Sequence, residues 1–167
     1  MCRARRVGGH VRLLNPTAEW GTLGLSIVSE LVYMNIQIAV LCDAATDYSG
    51  KLNILGTFDT IITSQLPAVH PQCSIALRLA FTKIEEGSHK VKMNFVDEDG
   101  RLVMPSIDMP VDVVVPNELN FLVRNFVINI QQLKFEKPGQ YSIDVAVDGR
   151  HETSIPLLVR HQTNKPE

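Results

Sequence analysis

The chain has 167 residues, 45% of them hydrophobic and 20% charged, and a formal net charge of −2. That length buries a core in one domain without disulfides or a structural metal, and so small a charge supplies no field to hold nucleic acid or an anionic membrane. Cys2, Cys42 and Cys73 form an odd, sparse set with no CxxC spacing, which argues against a disulfide framework and for a reducing, cytoplasmic setting.

Residues 1–33 differ in character from the rest. They carry four arginines against two glutamates, whereas residues 34–167 carry twelve basic against sixteen acidic groups. The apolar run Leu23-Gly24-Leu25-Ser26-Ile27-Val28 is flanked by Glu19 and Glu30 and meets no A-x-A-like site. A secretory signal needs roughly 7–15 continuous apolar residues, and a membrane span needs about 20. The stretch is expected to be a disordered or loosely helical extension, or an upstream mis-start ahead of Met34. Residues 34–161 are expected to form one domain and 162–167 a flexible tail.

From Asn35 onward the hydrophobic period is two. Ile36, Ile38, Val40 and Cys42 are expected on one buried face, with Ala44–Lys51 a loop turning at Ser49-Gly50. Leu52, Ile54 and Phe58 resume the alternation. Leu66–Pro71 reads as a connector because two prolines remove donors. Ile75, Leu77, Leu79 and Phe81 form a half-buried strand, followed after Glu86-Gly87 by Val91, Met93 and Phe95.

Asp99-Gly100 signals a hairpin, since both positions tolerate positive φ. Ile107–Val115, interrupted by Pro110, reads as a sheet edge or bulged strand. Phe126, Ile128 and Ile130 mark one side of a long strand. Pro138-Gly139 turns into Tyr141, Ile143, Val145 and Val147, and Asp148-Gly149 turns into Thr153, Ile155, Leu157 and Val159. Eight or so strands without a helical period predict an all-β antiparallel β-sandwich, in jelly-roll or immunoglobulin-like order.

The candidate functional residues lie in the connections. Counting strand reversals puts Asp43, Asp47, Glu85, Glu86, His89 and Asp148 at one end, and the acidic turn Asp97-Glu98-Asp99 at the other. The first group is either a hydrated loop surface or a polar binding rim. Its candidate ligand-binding residues are Asp43, Asp47, Tyr48, His89 and Asp148. The five histidines show no HxH or HExxH spacing, so no metal site or cofactor is expected. Cys42 reads as a small buried hydrophobe, and Tyr141 as a strand-entry tyrosine whose hydroxyl ties down the preceding turn. No GxSxG elbow, phosphate-cradling glycine loop or paired-carboxylate motif is present, so no catalytic residue is assigned.

Several segments together resemble a family of short bacterial β-sandwich proteins that carry a domain of unknown function. They are Ala39-Val40-Leu41-Cys42-Asp43-Ala44-Ala45, Gly50-Lys51-Leu52-Asn53-Ile54-Leu55-Gly56-Thr57-Phe58-Asp59, Val96-Asp97-Glu98-Asp99-Gly100, Pro138-Gly139-Gln140-Tyr141 and Val147-Asp148-Gly149. The Gly50–Asp59 stretch is the most specific. The resemblance covers roughly Met34–His161 and implies a domain start near Met34, but no activity. The function expected is a non-enzymatic binding or protein-interaction module, with an unknown protein partner or self-association through the Ile107–Val115 edge. The alternative is a sandwich binding a small ligand or metal around Asp43, Asp47 and Asp148.

Overall fold

The computed structural model describes residues 34–162, so the expectations for residues 1–33 and 163–167 lie outside the described residues. The described chain is all-β apart from one 3-10 turn at Lys83–Glu85. Its nine strands are β1 (Asn35–Tyr48), β2 (Lys51–Thr57), β3 (Thr60–Thr63), β4 (Ala68–Thr82), β5 (Gly87–Asp97), β6 (Ile107–Val113), β7 (Phe121–Phe135), β8 (Gly139–Val147) and β9 (Arg150–His161). They form a four-stranded sheet ordered β2-β1-β4-β7 and a five-stranded sheet ordered β3-β9-β8-β5-β6. Pairing is antiparallel except between β3 and β9, which run parallel.

One core joins the two sheets. Ile75, Leu77, Leu79 and Phe81 of β4 share it with Val91, Met93 and Phe95 of β5, Ile143 and Val145 of β8, and Ile155, Leu157 and Val159 of β9. The two-residue alternation locates these faces because successive side chains of a strand point to opposite sides. Phe126, Ile128 and Ile130 pack on the core as expected, and β6 is a terminal strand of its sheet. Tyr141 donates its hydroxyl to the Lys137 carbonyl at 2.8 Å, closing the turn before β8.

Three expectations are corrected. In β1 the register shifts between Ile36 and Ile38; a bulge of this kind inserts a residue and re-aims the strand. Leu41 and Ala39 therefore meet the core with Ile36, while Cys42 is buried against β4, its thiol donating to the Ser74 carbonyl at 3.3 Å. The Ala44–Lys51 loop is mostly strand: β1 runs to Tyr48 and only Ser49-Gly50 turns, both with positive φ. The Leu66–Pro71 connector ends at Pro67, because Ala68–Pro71 already belongs to β4. The short strand β3 raises the count to nine.

The first hairpin leaves its sheet. β1 pairs with β4 only as far as Cys42, and from there pairs with β2. The hairpin folds back over the outer face of β4 and β7. Asn125 Nδ2 donates to Asp47 Oδ2 at 2.7 Å and to the Gly50 carbonyl at 3.1 Å. Arg78 ties Gln37, Asn125 and Gly50 together from below. Small outward residues of β4, Ser74 and Ala76, are fully buried beneath it.

Gly56 sits opposite Asp43 with φ +65°, and a Cβ there would come within 2.2 Å of Asp43 Oδ2. Gly56→Ala is expected to cost about 1–2 kcal/mol from the left-handed backbone alone, measured by denaturant unfolding. Adding Asp43→Ala should recover the steric part only. Tyr141→Phe is expected to lose about 1 kcal/mol, the usual net worth of one hydrogen bond.

Candidate functional site

The residues grouped at one end by strand counting separate into two places. His89 and Asp148 meet: His89 Nδ1 lies 2.7 Å from Asp148 Oδ2. Asp43, Asp47 and Tyr48 lie instead on the folded-back hairpin, where Asp47 also caps the turn by accepting the Gly50 amide at 2.9 Å. The cause is β3. This strand crosses to the second sheet alongside β9, and one unrecognised strand inverts the direction assigned to everything after it. Asp43, Asp47 and Asp148 therefore do not converge, and among the described residues no group of three or more His, Cys, Asp or Glu side chains is placed to hold a metal. Tyr48 is exposed, as its turn position implies.

The end that holds His89 is built from three connections. The first, between β4 and β5, is the Lys83–Glu85 turn. Thr82 begins it, and Glu85 reaches back to accept the Thr82 amide and hydroxyl at 2.9 and 3.0 Å. This T-x-x-E spacing is a capping box legible in the sequence. Glu85 also accepts the Met34 amide. The second connection, 114–120, is held to the first by Lys83 N to the Asn120 carbonyl at 3.3 Å, Lys83 Nζ to Asn117 Oδ1 at 3.0 Å, and Val115 N to Glu86 Oε1 at 2.7 Å. The third is the Asp148-Gly149 turn, with positive φ at both residues.

This end exposes large apolar side chains. Ile84 is 75% exposed, Val114 72%, Leu119 48% and Phe121 56%. Thr82 pairs with Phe121 and Gly87 with Val113, which puts all four at the same end. Ile84 and Leu119 are lone apolar residues in connections and carry no periodic signal, whereas Val114 falls at an outward position of the Ile107–Val115 alternation and Phe121 opens β7.

His89 lies at the same end, its ring 5.2 Å from that of Phe81. Burial on its own would lower the His89 pKa. The Glu85 carbonyl at 2.8 Å from Nε2 and the Asp148 carboxylate outweigh it and hold the value above the ordinary histidine range. For Asp148, burial pushes upward, but hydrogen bonds from His89 and from the Lys90 amide at 2.8 Å hold its carboxyl below the usual range. A cleft of about 280 Å³ adjoins the pair, lined by Met34, Glu85, Val147, Arg150 and Glu152 among others.

At the opposite end a cleft of about 270 Å³ lies between the Asp97–Arg101 turn and the turn before Tyr141. The acidic turn is occupied with itself: Asp97 Oδ1 accepts the amides of Asp99 and Arg101, and Arg101 pairs with Asp99 at 2.9 Å. Cys42 and Cys73 are free and fully buried, and burial pushes the Cys73 thiol up to about 11. Among the described residues no helix is long and apolar enough to cross a membrane.

The geometry defines an all-β, two-sheet domain with a polar pair at the end that exposes these apolar residues. Residues 37–160 match the family of unknown function DUF6941, and the chain belongs to that family. No curated protein matches it. Among solved structures it is similar to a glycosyl hydrolase family 2 member from Bacteroides cellulosilyticus DSM 14838, with 12% identity and a TM-score of 0.38 over 55% of this chain and 14% of that one. It is also similar to the Pseudomonas fluorescens alkylpurine DNA glycosylase AlkC bound to DNA containing an abasic site analog, with 10% identity and a TM-score of 0.40 over 76% of this chain and 30% of that one. The chain spans less than a third of either protein's length, and likenesses this distant carry no argument about function.

The two shifts set a pH window. Stability from a raised histidine is complete below about pH 6.5 and is lost as pH rises through its folded value; stability from a depressed carboxyl is complete above about pH 3.9 and is lost as pH falls through its folded value. The pair's contribution is therefore whole between these limits. Melting temperatures measured across pH should fall above the window in the natural chain, and His89→Gln should flatten that alkaline limb.

Proposed function

We propose that the domain is a non-enzymatic binding module of immunoglobulin-like order that engages a partner protein through the end bearing Ile84, Val114, Leu119 and Phe121. The observation that carries this is four exposed large apolar side chains at one end, Ile84, Val114 and Leu119 on two connections tied to each other and Phe121 on the first residue of β7. Apolar residues scattered singly over a surface need no explanation, whereas several exposed at one end suit an interaction site.

The strand order supports the architectural half. β1, β4 and β7 correspond to strands A, B and E of an immunoglobulin sandwich, and β5, β8 and β9 to C, F and G, with β6 beside C as in variable domains. Tyr141, at the start of the F-like strand and bonded back to Lys137, fits the tyrosine corner. In this correspondence the Lys83–Glu85 turn, the 114–120 connection and the Asp148-Gly149 turn occupy the end at which variable domains bind. That is an analogy of fold and supports the choice of end only.

The non-enzymatic half rests on chemistry. Cys73 is buried and held protonated, the opposite of what a thiol nucleophile needs. His89 has both ring nitrogens committed to structural bonds. Free buried thiols suit a reducing compartment, and we place the protein's work in the cytoplasm on that ground.

Ile84→Lys and Phe121→Lys test the proposal, since surface changes of this kind usually alter stability by no more than about 0.5 kcal/mol. Affinity capture with the full natural chain should recover a partner that both variants lose, with melting temperatures unchanged. Equal recovery of the same partner by all three chains would place binding elsewhere.

A further inference from the structure

We propose that His89 is a proton-operated clamp on this loop end: its doubly protonated ring holds the Lys83–Glu85 turn, and Ile84 with it, to the β8–β9 turn, and loss of one ring proton releases the first turn. The consequence for partner binding rests on the function proposed above. The clamp itself stands on geometry.

His89 Nδ1 faces Asp148 Oδ2 at 2.7 Å, and Nε2 faces the main-chain oxygen of Glu85 at 2.8 Å. A carboxylate and a carbonyl only accept, so each ring nitrogen has to donate, and a neutral imidazole carries one N–H. Satisfying both partners therefore requires the cation. Phe81 closes one side of the ring at 5.2 Å, with its π face suited to a cationic neighbour.

The surrounding charges are committed to other partners. On the turn, Glu85 accepts from Thr82 and Met34, Glu86 accepts the Val115 amide, and Lys83 reaches Asn117. On β5, Lys90 pairs with Asp108 at 3.2 Å. On β6, Asp112 accepts the Ser88 hydroxyl. On β9, Arg150 and Glu152 pair at 2.5 Å. Asp148 is the charged group among these that touches the ring.

The geometry also decides which bond breaks. Asp148 is fixed independently of the ring, because Oδ1 accepts the Lys90 amide at 2.8 Å and its own amide donates to the Lys90 carbonyl at 2.9 Å. A bond to a carboxylate is stronger than one to a neutral carbonyl, so the remaining proton stays on Nδ1. The contact given up is the one to Glu85, on the turn that carries Ile84. Lys83 and Glu86 flank Ile84 and Glu85 and make the bonds to the 114–120 connection, so loosening the turn reaches the other exposed apolar residues.

The test follows the full chain by NMR across roughly pH 5 to 8.5, the range in which histidine titrates. The Ile84 methyl and the Glu86 amide should move with the same midpoint as the His89 ring, and amide protection in the turn should fall above it. Asp148→Asn should shift that midpoint to lower pH, and His89→Gln should abolish the co-titration. An Ile84 signal that stays constant while His89 titrates overturns the clamp, as does a transition that survives in His89→Gln. Capture of a partner that is equally strong on both sides of a confirmed midpoint overturns the regulatory consequence. The binding proposal is judged separately, by the Ile84→Lys and Phe121→Lys variants.

Discussion

Burial of strand β4 on both faces is the constraint on which the rest of the molecule depends. Its inward residues, Ile75, Leu77, Leu79 and Phe81, anchor the core, while its outward residues Ser74 and Ala76 are fully covered. A strand buried on one side needs only an opposing sheet. This one also needs a cover, and the β1–β2 hairpin supplies it. Small outward side chains let that cover approach, and the one buried hydroxyl among them is satisfied, Ser74 Oγ donating to Asn129 Oδ1 at 2.7 Å. Left unbonded at such depth, a hydroxyl would cost about 1–3 kcal/mol.

That cover explains the Gly50–Asp59 stretch. Gly50 provides the tight reversal and a carbonyl for Arg78 and Asn125, while Gly56 takes a left-handed conformation where Asp43 leaves no room for a Cβ. Asp43 and Asp47 are thus acids of the hairpin's own construction. In sequence they look like loop carboxylates because Asp43-Ala44-Ala45-Thr46-Asp47 carries no alternation of large apolar residues, so the strand reads as ending at Cys42.

The period-two segments were legible where the strand has one wet and one dry face. Val91, Met93 and Phe95, and likewise Ile143, Val145, Ile155 and Leu157, all face the core as alternation demands. β3 was not legible, because four residues give two alternations at most and its parallel partner β9 is distant in sequence. The error propagated in one direction only. Glu85, Glu86, His89 and Asp148 all follow β3, so their mutual grouping survived, whereas residues preceding it were assigned to the wrong end. The capping box at Thr82–Glu85 is legible locally; the shared position of the exposed apolar residues depends on the Lys83–Glu85 turn meeting the 114–120 connection and is not.

The two ends of the domain are held by different physics. At one, Tyr141 packs against Phe95 and Phe135, with ring centroids 6.4 and 5.1 Å away, and its hydroxyl closes the turn. Aromatic packing of this kind is insensitive to pH between the carboxylate and tyrosine ranges. At the other, the connections meet through a histidine, carboxylates and amide side chains, and the large apolar groups point outward. The hydrogen bonds that hold these connections are exposed or only half-buried, and bonds of that kind belong to the segments that open locally at least cost. The binding face proposed above would lie at that end, away from the Tyr141 turn and from the part of β4 that the hairpin covers.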